Sequence, residues 1–236
     1  MSSTAHRFSR IALAIACLAP AVHAQALHVL VEPPFPGVGD EIRIRLVSGA
    51  PFEGQELTPA EPRGGSLQRL WRSGRESLKT VPPTFYPSEA GVQVIAFLPH
   101  RAAGTDHDWA SFGKALLVVG DAAAGDGIWR SELGQRLEIV PRTDPAALLE
   151  QGGMFEVQIL LDREPLVGAT VAATAESAPA ESYRRAMTNT LGQVRFDLDR
   201  PGRWLIHLAH KQFERGPETG WIVLQSSLAL AVGPRR

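Results

Sequence analysis

The sequence predicts an all-β protein: two β-sandwich domains, immunoglobulin-like or prealbumin-like, behind a cleaved signal peptide. Three observations carry this. Short apolar segments alternate with polar residues at a period of two, as in Ile42-Arg43-Ile44-Arg45-Leu46. Glycine and proline turns punctuate them at short, regular spacing. Apolar patterns long enough for a core helix are absent after residue 24.

The chain begins with a basic stretch, Arg7 and Arg10, followed by the apolar run Ile11 to Ala21 and then Ala-Val-His-Ala ending at Ala24. These are the parts of a secretory signal. The run is too short to span a bilayer, which takes roughly 20 residues. Cleavage is expected after Ala24, with Ala26 as the alternative. Lipidation at Cys17 is disfavoured because only Ile11 to Ala16 separates that cysteine from Arg10. Removal of residues 1–24 takes away the single cysteine, and with it thiolate chemistry and disulfides. Removing Arg7 and Arg10 from 24 basic residues leaves 22 against 25 acids, a formal charge of −3. No basic patch points to nucleic acid. No second long apolar run predicts a membrane span. The expected location is the periplasm.

Along the mature chain, His28 to Val31 reads as a strand stopped by Glu32-Pro33-Pro34. Glu41 to Val47 is a half-buried strand. Weaker strand patterns fall at Leu67 to Trp71 and Ser77 to Thr80. Gly91 to Leu98 and Lys114 to Gly120 complete an N-terminal domain over 25–120. The small residues from Asp121 to Gly127 open a linker, taken as 121–133. The second domain covers 134–236. Its strands are expected at 137–140, 155–160, 169–174, 194–198, 203–210 and 221–232. A short turn at 143–149 has Thr143 or Asp144 as its cap. Glu164 to Gly168 is a turn, and Gly192 permits a tight hairpin before Val194 and Phe196 plug the core.

Five histidines remain after processing, and neutral imidazole suits nickel, cobalt, copper and zinc. His28 lies near the new amine and is a terminal ligand candidate. Cleavage after Ala26 would place it second, the better position for an amine–amide–imidazole chelate. Asp106-His107-Asp108 is a compact acid–imidazole–acid cluster in an expected loop. His207 and His210, three apart on a strand, point to opposite faces and do not chelate together. His210 remains a strand-end candidate. No His-Glu-x-x-His, Gly-x-Ser-x-Gly or phosphate loop is present, so no enzyme activity is expected.

Pro165-Leu-Val-Gly-Ala-Thr-Val, Thr188-Asn-Thr-Leu-Gly-Gln-Val-Arg-Phe and Pro201-Gly-Arg-Trp-Leu-Ile resemble the prealbumin-like, carboxypeptidase-regulatory type of sandwich. Over nearly the whole mature chain, Glu32-Pro33, Lys114-Ala-Leu-Leu-Val-Val-Gly, Leu137-Glu-Ile-Val-Pro, Asp144-Pro145, His210 and Trp221 resemble a periplasmic family of unknown function. That family is commonly labelled nickel-uptake, substrate-specific, or related to cobalt and nickel transport subunits. The resemblance implies binding or uptake of a divalent metal, nickel or cobalt. With the histidine chemistry and the absent catalytic motifs, the expectation is a non-enzymatic accessory for nickel, cobalt or copper whose partner is a metal transporter or envelope protein. The alternative is an interaction module for an envelope protein or glycan. Three positions depart from the family pattern. Leu27 stands where members carry a near-terminal histidine, with His28 one residue later. The usual helical insert shrinks to Arg101–Gly113. Ile222, Val223 and Leu224 replace acidic and aromatic residues after the late tryptophan.

Overall fold

The computed structural model describes residues 26–57, 65–79, 83–99, 109–121, 127–149, 152–179, 182–214 and 220–233. The expected signal peptide with its Ala24 cleavage site, Cys17 and the cluster Asp106, His107 and Asp108 lie outside these residues. In chain order the strands are β1 (Leu27–Glu32), β2 (Ile42–Ser48), β3 (Gln55–Glu56), β4 (Gly65–Trp71), β5 (Gly74–Leu78), β6 (Thr84–Phe85), β7 (Gly91–Pro99) and β8 (Trp109–Val119). They continue as β9 (Leu137–Pro141), β10 (Gly153–Leu161), β11 (Glu164–Pro165), β12 (Thr170–Ala175), β13 (Arg184–Met187), β14 (Gln193–Leu198), β15 (Gly202–Glu214) and β16 (Gly220–Val232). Two single 3₁₀ turns, Ile128–Arg130 and Pro145–Leu148, are the helical elements among the described residues.

The all-β expectation holds, but the two halves do not have separate sheets. An eight-stranded sheet runs β13-β12-β15-β16-β8-β7-β4-β5 and takes four strands from each side of the expected linker. The join is a parallel pairing of β16 with β8, from Val223 opposite Trp109 to Ala229 opposite Ala115. One smaller sheet contains β1, β2, β3 and β6; another contains β9, β10, β11 and β14.

Two separate cores follow from side-chain alternation on the shared sheet. In β8, Leu116 and Val118 belong to one cluster, while Ala115, Leu117 and Val119 belong to the other. The same division splits Trp204, Ile206 and Leu208 of β15 from Leu205, and Leu228 and Leu230 of β16 from Ala229. The first cluster continues into Leu137, Ile139, Phe155, Val157, Ile159 and Phe196 of the β9-β10-β14 sheet. The second continues into Leu27, Val29, Val31, Ile42, Ile44 and Leu46 of β1 and β2. The large sheet is therefore the middle layer of three, with a core on each face. Each fully buried leucine or isoleucine contributes roughly 1.5–3 kcal/mol. Burial on both faces explains why Lys114 to Gly120 reads as an unbroken apolar run after its lysine rather than as alternation.

Gly113 marks a close approach of two layers. A Cβ there would lie 2.8 Å from Cγ2 of Val29, so β1 rests directly on β8. The described end of the expected linker is anchored as well: Trp129 is buried and belongs to the first core. The short turn at 145–148 is capped by Asp144, whose carboxylate accepts the Ala146 N–H at 2.9 Å. Thr143 has a different task, accepting the Glu156 N–H through Oγ1. Gly192, at φ +69°, does not close a hairpin. Asn189 Oδ1 accepts the Leu191 and Gln193 N–H groups there, and the chain passes from β13 in the middle sheet to β14 in an outer one. The β10–β11 hairpin instead turns at Asp162 and Arg163, both at positive φ.

Candidate metal centre between the middle sheet and β1

The three-layer arrangement buries polar groups in both interlayer spaces, among them an ion pair on one side and a histidine pair on the other. In the first, Lys114 points from β8 toward the β9 sheet and pairs with Glu138; both side chains are almost fully buried. Lys114 Nζ also donates to the Ile139 carbonyl at 3.2 Å. The Glu138 carboxylate accepts three backbone N–H groups, from Leu133 at 2.6 Å, Gly134 at 3.0 Å and Gln135 at 3.1 Å. Burial pushes the Lys114 pKa below its ordinary value, and the Glu138 charge opposes that shift. In this cluster both charged groups are paired, with each other and with backbone, although the buried Oε1 of Gln135 beside them has no partner; it ties the middle layer to an outer one.

The second cluster is different. His28 of β1 and His207 of β15 lie with ring centroids 6.3 Å apart and planes at 70°. Tyr183 stacks edge-on against His207 at 5.7 Å. His28 is completely buried. Its Nε2–H donates to the Gly49 carbonyl at 3.1 Å, which fixes the tautomer and leaves Nδ1 with a free lone pair. That Nδ1 has no hydrogen-bond partner, and neither has the buried Nε2 of His207. A buried nitrogen without a partner is costly and calls for a physical reason. Burial lowers the His28 pKa to about 4; the Gly49 hydrogen bond opposes this and His207 adds to it. Burial, and then the Arg185 charge, lower the His207 pKa to about 4. Both rings are therefore neutral at neutral pH, the state that binds metal.

Four residues away along β1 and β15, charged residues link the layers. Glu32 accepts from Arg45 at 2.9 Å and from Arg203 at 3.2 Å. Arg45 and Arg43 both bond Glu56, and Arg203 bonds Glu176. Burial alone would raise the Glu32 pKa, but the hydrogen bonds and charges of the two arginines hold it below the ordinary carboxylate value. A cavity between β1 and the middle sheet, lined by Leu30, Ala115, Leu117 and Ala229 among others, measures about 20 Å³, room for a single water.

His28 is thus placed, though not as a frayed terminal ligand. It sits inside a paired strand opposite Val47, and the Ala26 carbonyl beside it accepts the Gly49 N–H. An amine–amide–imidazole chelate would have to break this pairing. His210 faces away from His207, as expected from alternation. Its register partner is Leu224, and it does not join His28. Among the described residues no group of three or more histidine, cysteine, aspartate or glutamate side chains could hold a metal. The residue that sequence reasoning left out is His207. Its partner lies on a strand at the far end of the chain, and no local spacing announces the pair.

No curated protein matches the chain. Among solved structures, the D0-D1 domain of intimin is 10% identical, covering 87% of this chain and 97% of that one at a TM-score of 0.25. A two fibronectin type-III domain segment from chicken tenascin is 9% identical over 85% and 98%, also at 0.25. The three N-terminal domains of the bacteriophage RB49 outer capsid protein Hoc are 7% identical over 87% and 59%, at 0.26. At such scores the architecture rests on the strand pairing described above rather than on these likenesses. Residues 84–212, from β6 to within β15, match a sequence family across more than half of the chain, and the protein therefore belongs to the family described as Domain of unknown function (DUF4198).

Proposed function

We propose that the protein is an exported, non-enzymatic accessory of the periplasm that binds a first-row transition-metal ion between His28 and His207 for transfer to an envelope transporter. One observation carries the reading: two neutral imidazoles from different layers meet with a buried, unpartnered nitrogen on each. Imidazole is a good donor for copper, nickel, cobalt and zinc. A two-donor site leaves coordination positions open, which suits an ion that must be handed on. Asp106, His107 and Asp108 lie outside the described residues and are not needed by this reading.

The test is calorimetric titration of the mature protein, its N-terminus confirmed by mass, with nickel, cobalt, zinc and, under anaerobic conditions, Cu(I). One-to-one binding of at least one ion is expected, weakened about 100-fold by His207→Gln and unchanged by His210→Gln. Binding that is indifferent to His207→Gln, or absent for all four ions, would overturn it.

An interaction module for an envelope protein or glycan is the second reading, and one observation favours it. Trp221 and Phe213, 55% and 45% exposed, pack edge-on at 5.3 Å at the end of the β15–β16 hairpin, with Lys211 Nζ 4.8 Å from the indole. Exposed aromatic residues flanked by a cation are common at contact sites. Loss of co-sedimentation with isolated envelopes in a Phe213→Ser, Trp221→Ser variant would support it.

A further inference from the structure

We infer that the His28–His207 pair selects a monovalent over a divalent ion, so that its cargo is cuprous copper. This rests on the metal reading above and sharpens it.

The first argument is spacing. Two ring nitrogens bound in line to one ion at ~2.0–2.1 Å, each nitrogen ~1.2 Å from its own ring centre, put the centroids ~6.4 Å apart. The same bonds at a tetrahedral angle bring the centroids to ~5.2 Å. The observed separation is 6.3 Å. The free nitrogens are Nδ1 of His28 and Nε2 of His207, and the 70° angle between ring planes does not hinder a linear arrangement, because each ring turns freely about its own metal–nitrogen bond. Linear two-coordination is a habit of cuprous copper; nickel, cobalt and zinc take four or more ligands.

The second argument is charge. Both donors are neutral, and among the described residues no carboxylate or thiolate completes a three-ligand group around them. The charged group acting on His207 is Arg185, a cation. The cost of taking an ion out of water rises with the square of its charge, and repulsion from Arg185 rises in proportion to it. A dication at this site meets both penalties without an anion to offset them, whereas a monocation meets a fraction of each. Tyr183, packed on His207, adds an aromatic wall rather than a negative charge at neutral pH.

The experiment is an anaerobic competition titration of the mature protein against the bicinchoninate complex of Cu(I), with Ni(II) and Zn(II) titrated in parallel. The expected result is one Cu(I) bound at least about 100-fold more tightly than Ni(II) or Zn(II), with His207→Gln abolishing that preference and His210→Gln keeping it. Copper-edge absorption of the wild-type Cu(I) complex, which needs no variant to fold, should show a two-coordinate nitrogen environment. Ni(II) or Zn(II) bound through His207 more tightly than Cu(I), or a four-coordinate copper spectrum, would overturn the selectivity while leaving the metal reading standing. Binding of every ion indifferent to both His28→Gln and His207→Gln would overturn both.

Discussion

The two faces of the middle sheet each bury polar groups, and they treat them in opposite ways. Toward β9, Lys114 and Glu138 satisfy one another, with three backbone N–H groups closing the carboxylate. Toward β1, His28 and His207 meet with a nitrogen left open on each ring. A saturated buried cluster fixes geometry. An unsaturated one carries a cost, which the proposed metal ion would offset by supplying the missing bonds. The contrast separates what holds the layers together from what the protein can offer another molecule.

The largest expected effect breaks the charge-paired side. Glu138→Ala strands the Lys114 charge and frees three backbone donors, so urea denaturation should show a loss of about 3–5 kcal/mol. Replacing both partners, as Lys114→Met with Glu138→Leu, should cost clearly less, because no unpaired charge remains. If the double variant proved as unstable as the single one, the pair's role would lie in shape rather than charge.

The open side should respond to pH. For His28, the folded-state pKa of about 4 lies below the ordinary 6.5, so the unfolded chain binds more protons between those values and stability rises with pH there. The neutral ring's contribution is intact above about pH 6.5 and declines as pH falls toward 4. Between pH 7.5 and pH 5 the loss from His28 alone is ~2 kcal/mol. A urea midpoint measured across this range should fall in the apo protein and fall less in His28→Gln. A flat profile would place the rings in contact with water.

Two smaller effects sharpen the packing. Gly113→Ala drives a methyl group toward Val29 and should cost about 1–3 kcal/mol by urea denaturation, lifting β1 and weakening metal binding through His28. Arg203→Gln removes two partly exposed ion pairs, to Glu32 and Glu176, and should change stability by no more than about 1–2 kcal/mol, with the difference shrinking at high salt.

Much of the fold was legible because it depends on local pattern. Alternation located β2 and β14, apolar runs located β7 and β8, and the cap of the short turn was narrowed to Thr143 or Asp144, of which Asp144 is the one that serves. The sequence did not reveal that β8 and β16 pair across the expected domain boundary. Parallel pairing between distant strands leaves no local mark, and the small residues at 121–127 read as a separator. Gly192 was read as a hairpin residue because the same φ serves a turn between sheets. The Asp162–Arg163 turn lacks the glycine that would have signalled it. The site was half legible: His28 stood out by type and place, whereas His207 looked like one more alternating residue until the topology brought it to His28.

The most direct test of the contrast between the two faces is a crystal structure of the copper-loaded protein with anomalous scattering recorded at the copper edge. The account predicts one strong peak between Nδ1 of His28 and Nε2 of His207, with Lys114 and Glu138 unmoved. A peak at His210 or elsewhere on the surface, with the His28–His207 gap empty, would contradict it.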